Sequence, residues 1–115
     1  MNMDFYTTMI ICNIYARKAR LDLIRLLSDS DVEVLDLQNF NFRVKVDTSR
    51  VKYVSCSIPP DINRGIVEEP IFETAIADEN GLIYDETLGY KNVRNFTTIY
   101  QVANEIRRIK RICSV

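Results

Sequence analysis

From Phe40 to Val46 the side chains alternate strictly: Phe40, Phe42, Val44 and Val46 are apolar, and Asn41, Arg43 and Lys45 between them are polar. A period of two places all the apolar groups on one face of an extended strand and all the polar groups on the other. Such a strand is half-buried, so the chain must supply a second layer that packs on its apolar face. Asp47-Thr48-Ser49 is turn material, and Val51 to Ser57 reads as the return strand of a hairpin that Pro59-Pro60 stops. Val32 to Leu37 is a further β-rich run. A second hairpin is expected where Ile71–Ala77 and Leu82–Tyr84 flank Asn80-Gly81, a pair suited to the positive φ angles of a type I′ turn.

Helical patterns supply the covering layer. Ile99, Val102, Ile106, Ile109 and Ile112 recur at spacings of three and four, with Arg107, Arg108, Lys110 and Arg111 off that stripe. Thr98 with Gln101 three residues on matches a capping box, and cations in the last turns suit the negative end of the helix dipole. Over residues 17–28, Leu21, Ile24 and Leu27 keep helical spacing with Leu23 beside them, Arg17, Lys18, Arg20 and Arg25 lie around that stripe, and Ser28-Asp29-Ser30-Asp31 ends the helix. Residues 4–15 admit two readings. Thr7, Thr8, Ile10, Ile11 and Ile14 suit a strand, whereas Met3, Tyr6, Ile10, Ile14, Leu21 and Ile24 fall on one helical stripe.

Residues 58–70 carry all three prolines with Asn63 and Gly65, and are expected to form the longest loop. The expected fold is therefore α+β, one domain over residues 1–115: a mainly antiparallel sheet of two β-hairpins, with an amphipathic C-terminal helix and an N-terminal-half helix packed on one face. An open sheet leaves edges. A homodimer is expected, with the apolar N-terminal segment pairing with a second copy to cover one of them.

Composition narrows the chemistry further. The chain has no histidine, which removes the commonest general base, the usual zinc ligand and every Ser-His or Cys-His nucleophile. With three glycines and no GxxxxGK[ST] or GxGxxG run, no phosphate-cradling loop can be built from neighbouring residues. Cys12, Cys56 and Cys113 form an odd, widely spaced set without a CxxC pair, which points to packing thiols in a reducing compartment. No cofactor and no metal is expected. The first cation, Arg17, follows the apolar run Met9–Ile14 instead of preceding it, as a secretory signal requires. That run also falls well short of the roughly 20 apolar residues needed to span a bilayer. A soluble cytoplasmic protein without a membrane partner is the expectation.

Charge is segregated although the formal net charge is −1. Residues 61–90 hold Asp61, Glu68, Glu69, Glu73, Asp78, Glu79, Asp85 and Glu86 against Arg64 alone, and residues 91–115 hold Lys91, Arg94, Arg107, Arg108, Lys110 and Arg111 against Glu105 alone. Two candidate binding surfaces follow: a basic face of Arg94, Arg107, Arg108, Lys110 and Arg111, and an acidic hairpin carrying Glu73, Asp78, Glu79, Asp85 and Glu86. The first would suit phosphates, a nucleotide, nucleic acid or an acidic protein; the second would suit a basic protein groove. The plainer alternative for both is a solvated outer surface. A near-neutral total weighs against general nucleic-acid affinity, which draws on the release of many counterions. Phe40 and Phe42 read as core residues, since no glycine-aromatic motif of a base-stacking sheet accompanies them. A small enzyme using carboxylate or cysteine chemistry, with Glu73 or Cys56 as its reactive group, ranks last.

From about residue 53 to residue 106 the order of features resembles a group of small uncharacterised phage and prophage proteins. The likeness lies in Val54-Ser55-Cys56-Ser57, then a proline-bearing loop leading into Pro70-Ile71-Phe72-Glu73-Thr74, then Phe96-Thr97-Thr98 opening a helix. That group carries an Asp-His pair in the loop after the first strand, whereas this loop has Asp61 and no histidine, so no role of the pair carries over. The resemblance implies a mobile-element origin. Together with the missing catalytic groups it leads to a non-enzymatic module that binds an unidentified host protein, an inhibitor of host defence of the anti-CRISPR kind being one such class. A nucleic-acid or nucleotide binder is the alternative.

Overall fold

A computed structural model describes residues 4–60 and 70–114. In chain order these form helix α1 (Phe5–Leu26), strands β1 (Glu33–Val34), β2 (Asn41–Lys45), β3 (Tyr53–Ser57), β4 (Phe72–Asp78) and β5 (Gly81–Leu82), a 3₁₀ turn (Glu86–Leu88), strand β6 (Arg94–Phe96) and helix α2 (Ile99–Cys113). The fold is α+β, with every strand pairing antiparallel. Most of the loop expected over residues 58–70 lies outside the described residues.

The alternation at residues 40–46 does what its period requires. Phe42 pairs with Cys56 and Val44 with Val54, and these four side chains are buried on the face that carries the helices. Asn41, Arg43 and Lys45 lie on the other face with Tyr53, Ser55 and Ser57, where the Arg43 guanidinium sits 4.3 Å from the centre of the Tyr53 ring. The sheet runs β1-β2-β3-β4, and β5 and β6 share the far edge of β4, one at each end. In the β4–β5 hairpin Asp78 pairs with Gly81, so the loop residues are Glu79 and Asn80, neither of which has positive φ. The type I′ turn expected at Asn80-Gly81 is therefore replaced. The Asp78 carboxylate accepts the Asn80 N–H at 2.8 Å, and Gly81 takes the positive φ, +130°, at the start of the return strand.

Residues 5–15 are helical. Asp4 caps α1, its carboxylate accepting both the N–H and the hydroxyl of Thr7, and the Thr8 hydroxyl donates to the Asp4 carbonyl. Those bonds rule out the strand reading, and with it the expected pairing of this segment along a sheet edge. The buried side of α1 is Thr8, Cys12, Ala16, Ala19 and Leu23, a stripe mostly of small side chains. Leu23 and Leu27 are buried while Leu21 and Ile24 are exposed, so the helix is turned away from the stripe its largest residues suggested.

Helix α2 lies on the sheet as its spacing predicts. Val102, Ile106 and Ile109 are buried with Ala103 and Cys113, and Ile112 sits at the exposed flank. Its capping box is formed: the Thr98 hydroxyl accepts the Gln101 N–H, and the Gln101 side chain accepts the Thr98 N–H. Each fully buried isoleucine or valine of this core contributes about 1.5–3 kcal/mol. Among the described residues, no helix is long and apolar enough to cross a membrane.

Candidate interaction surfaces

The cations of α2 are spent largely within the chain. Arg107 donates to the Leu26 carbonyl, one of those that the end of α1 leaves without a helical partner. Lys110 donates to the Val46 carbonyl at 2.7 Å and lies 3.8 Å from the Asp31 carboxylate. Arg108 reaches the Leu88 carbonyl at the end of the 3₁₀ turn. Three cations within about one turn thus tie α2 to α1, to the residue that follows β2 and to the 3₁₀ turn. Arg111 is exposed, and of the five residues of the basic face it alone has no such contact among the described residues.

The strongest polar cluster centres on Glu105, which the sequence offers only as the one acid among the cations. It is 4% exposed. Arg108 grips both carboxylate oxygens, at 2.6 and 3.0 Å, and Arg94 donates to Oε2 at 3.0 Å. The Tyr90 hydroxyl donates to the same oxygen at 2.7 Å and lies 2.9 Å from the Thr74 hydroxyl, which, with that proton so placed, donates in turn. Burial by itself would push the Glu105 carboxyl up, but the Arg108 and Tyr90 hydrogen bonds and the two guanidinium charges outweigh it and hold the group below its ordinary value. Burial pushes the Tyr90 phenol up, and the carboxylate that accepts its proton adds to the shift. Glu105, Tyr90 and Thr74 take their partners inside the protein, so the cluster ties α2 to β4 and β6. The signal for it in the sequence is an acid beside the α2 apolar stripe, three residues before an arginine.

The acidic residues do not gather into one patch. Glu79 pairs with Lys52, which lowers its pKa. The Asp85 carboxylate accepts from Thr87 and from Arg50, both of which lower its pKa, and it caps the 3₁₀ turn. Asp78 holds the hairpin turn, Glu86 is exposed in the 3₁₀ turn, and Glu73 stands near the other end of β4 in register with Ser57 and Asn95. The three thiols are buried, and burial pushes the Cys56 thiol up to about 12, which leaves no appreciable thiolate at neutral pH. Among the described residues, no three His, Cys, Asp or Glu side chains come together as a metal site.

An apolar stripe open to a partner lies on the outer side of α1. Tyr6, Ile10, Ile14, Leu21 and Ile24 are all exposed, and at 100° per residue they fall within a sector of about 80°. A groove of about 260 Å³ runs beside the stripe between Tyr6, Met9, Ile10 and Asn13 of α1 and Asn39 and Phe40 before β2. The Asn13 side-chain oxygen is buried without a hydrogen-bond partner among the described residues. On the other flank, a mainly apolar groove of about 370 Å³ separates α1 from the start of α2, with Tyr15, Phe72, Ile99 and Tyr100 in its walls and the Lys18–Asp22 ion pair at its rim. No protein-family model, curated protein or solved structure matches the chain.

Proposed function

We propose that this chain is a non-enzymatic protein-binding module, an accessory protein of a phage or other mobile element that acts in the host cytoplasm by binding and inhibiting host machinery, as counter-defence inhibitors do. The observation that carries the binding role is the contrast between its two kinds of surface. The titratable clusters are largely satisfied within the chain, whereas one face of a 22-residue helix presents five large apolar side chains to solvent. Support for the mobile-element origin is the resemblance over residues 53–106.

A nucleic-acid role for α2 draws less support, because four of the five basic-face residues donate to carbonyls or to Glu105. Cysteine chemistry draws less still, since the thiols are buried. The test is affinity capture from the native host with tagged wild type and with Ile14→Asp as baits. A host protein retained by the first and lost by the second is the expected result. Retention of nothing above control by the wild type would remove the host-inhibitor reading.

A further inference from the structure

We infer that the outer face of α1 is a self-association surface, covered in the free protein by α1 of a second copy lying antiparallel to it, which a host partner docking on the same face would displace. The inference rests on the reading of α1 as a protein-contact face and names the occupant.

Area is the first argument. Tyr6 is 80% exposed, Ile10 61%, Ile14 59%, Leu21 61% and Ile24 42%. Together these residues present on the order of several hundred Å² of mainly apolar surface, in the range of the largest patch on a typical monomer, and the aliphatic stems of Arg17 and Lys18 extend it toward the size of a standard interface. Spacing is the second. Residues 10, 14, 17, 21 and 24 step by four, three, four and three, the heptad seam of two packed helices, with Arg17 as its one polar member.

Charge then selects the orientation. Between Phe5 and Ala16 there is no charged side chain, and Asp4 precedes that stretch, whereas Arg17, Lys18, Arg20 and Arg25 outnumber Asp22 in the C-terminal half. Parallel helices would set the two cationic halves side by side. Antiparallel helices set each cationic half against the partner's uncharged, Asp4-capped half and align the helix dipoles favourably. Matching seam positions in that orientation places Ile10 of one copy against Leu21 of the other, and Ile14 against the stem of Arg17. Tyr6 meets the partner helix at Ile24 and Arg25, where its ring can receive the guanidinium. The two-fold axis then passes between residues 14 and 17, and the contact closes on itself.

The test uses the full chain. Sedimentation at about 100 μM, where a dimer of roughly micromolar affinity is largely formed, should give twice the 13.4 kDa chain mass. Ile14→Asp should return the chain mass with an unchanged circular dichroism spectrum, since Ile14 is exposed in the single chain, and its melting temperature should match that of wild type only at dilutions where the dimer has dissociated. Under oxidising conditions Ile10→Cys and Leu21→Cys should each remain largely uncrosslinked alone but form a disulfide-linked pair when mixed, because only the antiparallel register brings those positions together. A wild-type monomer, or a dimer that survives Ile14→Asp, overturns the inference; crosslinking of Ile10→Cys with itself overturns the orientation. Host capture that still depends on Ile14 in a monomeric protein would leave the contact-face reading standing while removing the second copy as occupant.

Discussion

Replacing Glu105 by Gln keeps the shape of the side chain and removes its charge, which isolates what the buried carboxylate does. The wild-type carboxylate receives three charged or polar partners, Arg108 through two nitrogens, Arg94 and Tyr90. In Glu105→Gln the amide oxygen can keep Tyr90, but the amide NH₂ then faces a guanidinium and two cations lose their counter-charge. Breaking a fully buried pair costs about 3–5 kcal/mol. Here Arg94 and Arg108 keep partial contact with water, and that screening reduces the expected loss to about 2–3 kcal/mol. For a chain of this size the melting temperature should fall by about 8–12 °C. Urea unfolding followed by far-UV circular dichroism gives the free energy directly.

The same experiment has a built-in control in pH. The folded pKa of Glu105 lies below its unfolded value, so its contribution is fully present above about pH 4.5 and is lost as pH falls through the folded pKa. Wild type and Glu105→Gln should therefore converge in stability on acidification. A loss below about 0.5 kcal/mol at neutral pH, within the range of ordinary surface substitutions, would refute the assignment of the cluster as the tie between α2 and the sheet.

Three further outcomes are expected. A thiol reagent should find essentially no reactive cysteine in the native protein at neutral pH and three after denaturation, because Cys12, Cys56 and Cys113 are buried; rapid native labelling of Cys56 would contradict its placement. Thr98→Ala should cost about 1 kcal/mol in urea unfolding by removing the α2 cap. Arg108→Glu should destabilise the fold strongly by setting a like charge against Glu105, while Arg111→Glu should stay within about 0.5 kcal/mol of wild type; equal effects in thermal unfolding would mean that the two cations share one environment.

The sheet and α2 were legible because their signals are strong and local. Strict alternation fixes which face of β2 is buried, and the three- and four-residue recurrence of Val102, Ile106 and Ile109 fixes the buried side of α2. Helix α1 misleads because its two stripes carry opposite signals: the buried one is built from Thr8, Cys12, Ala16 and Ala19, small residues that allow close approach, while the bulkier Ile10, Ile14, Leu21 and Ile24 face out. Hydrophobic periodicity weighs size, and here size and burial part company. The partners of the charged residues were illegible for a different reason. Arg108 and Glu105 are three residues apart, but Tyr90, Arg94 and the Leu88 carbonyl reach them only once β6 and the 3₁₀ turn are folded against α2. A one-dimensional charge count cannot separate a tie to another element from a solvated side chain.

The way β5 and β6 divide one flank of β4 bears on how such a molecule tolerates a greasy helix on its exterior. The long strands β2, β3 and β4 are interior, and the strands paired outside them, β1, β5 and β6, are two or three residues long. Ribbon-by-ribbon growth needs an uninterrupted margin of free amide and carbonyl groups, and these stubs supply none of useful length. The apolar stripe of α1 lies instead on a helix, whose backbone groups are already paired, so a contact made there would saturate after one docking event and could not propagate as a growing sheet does.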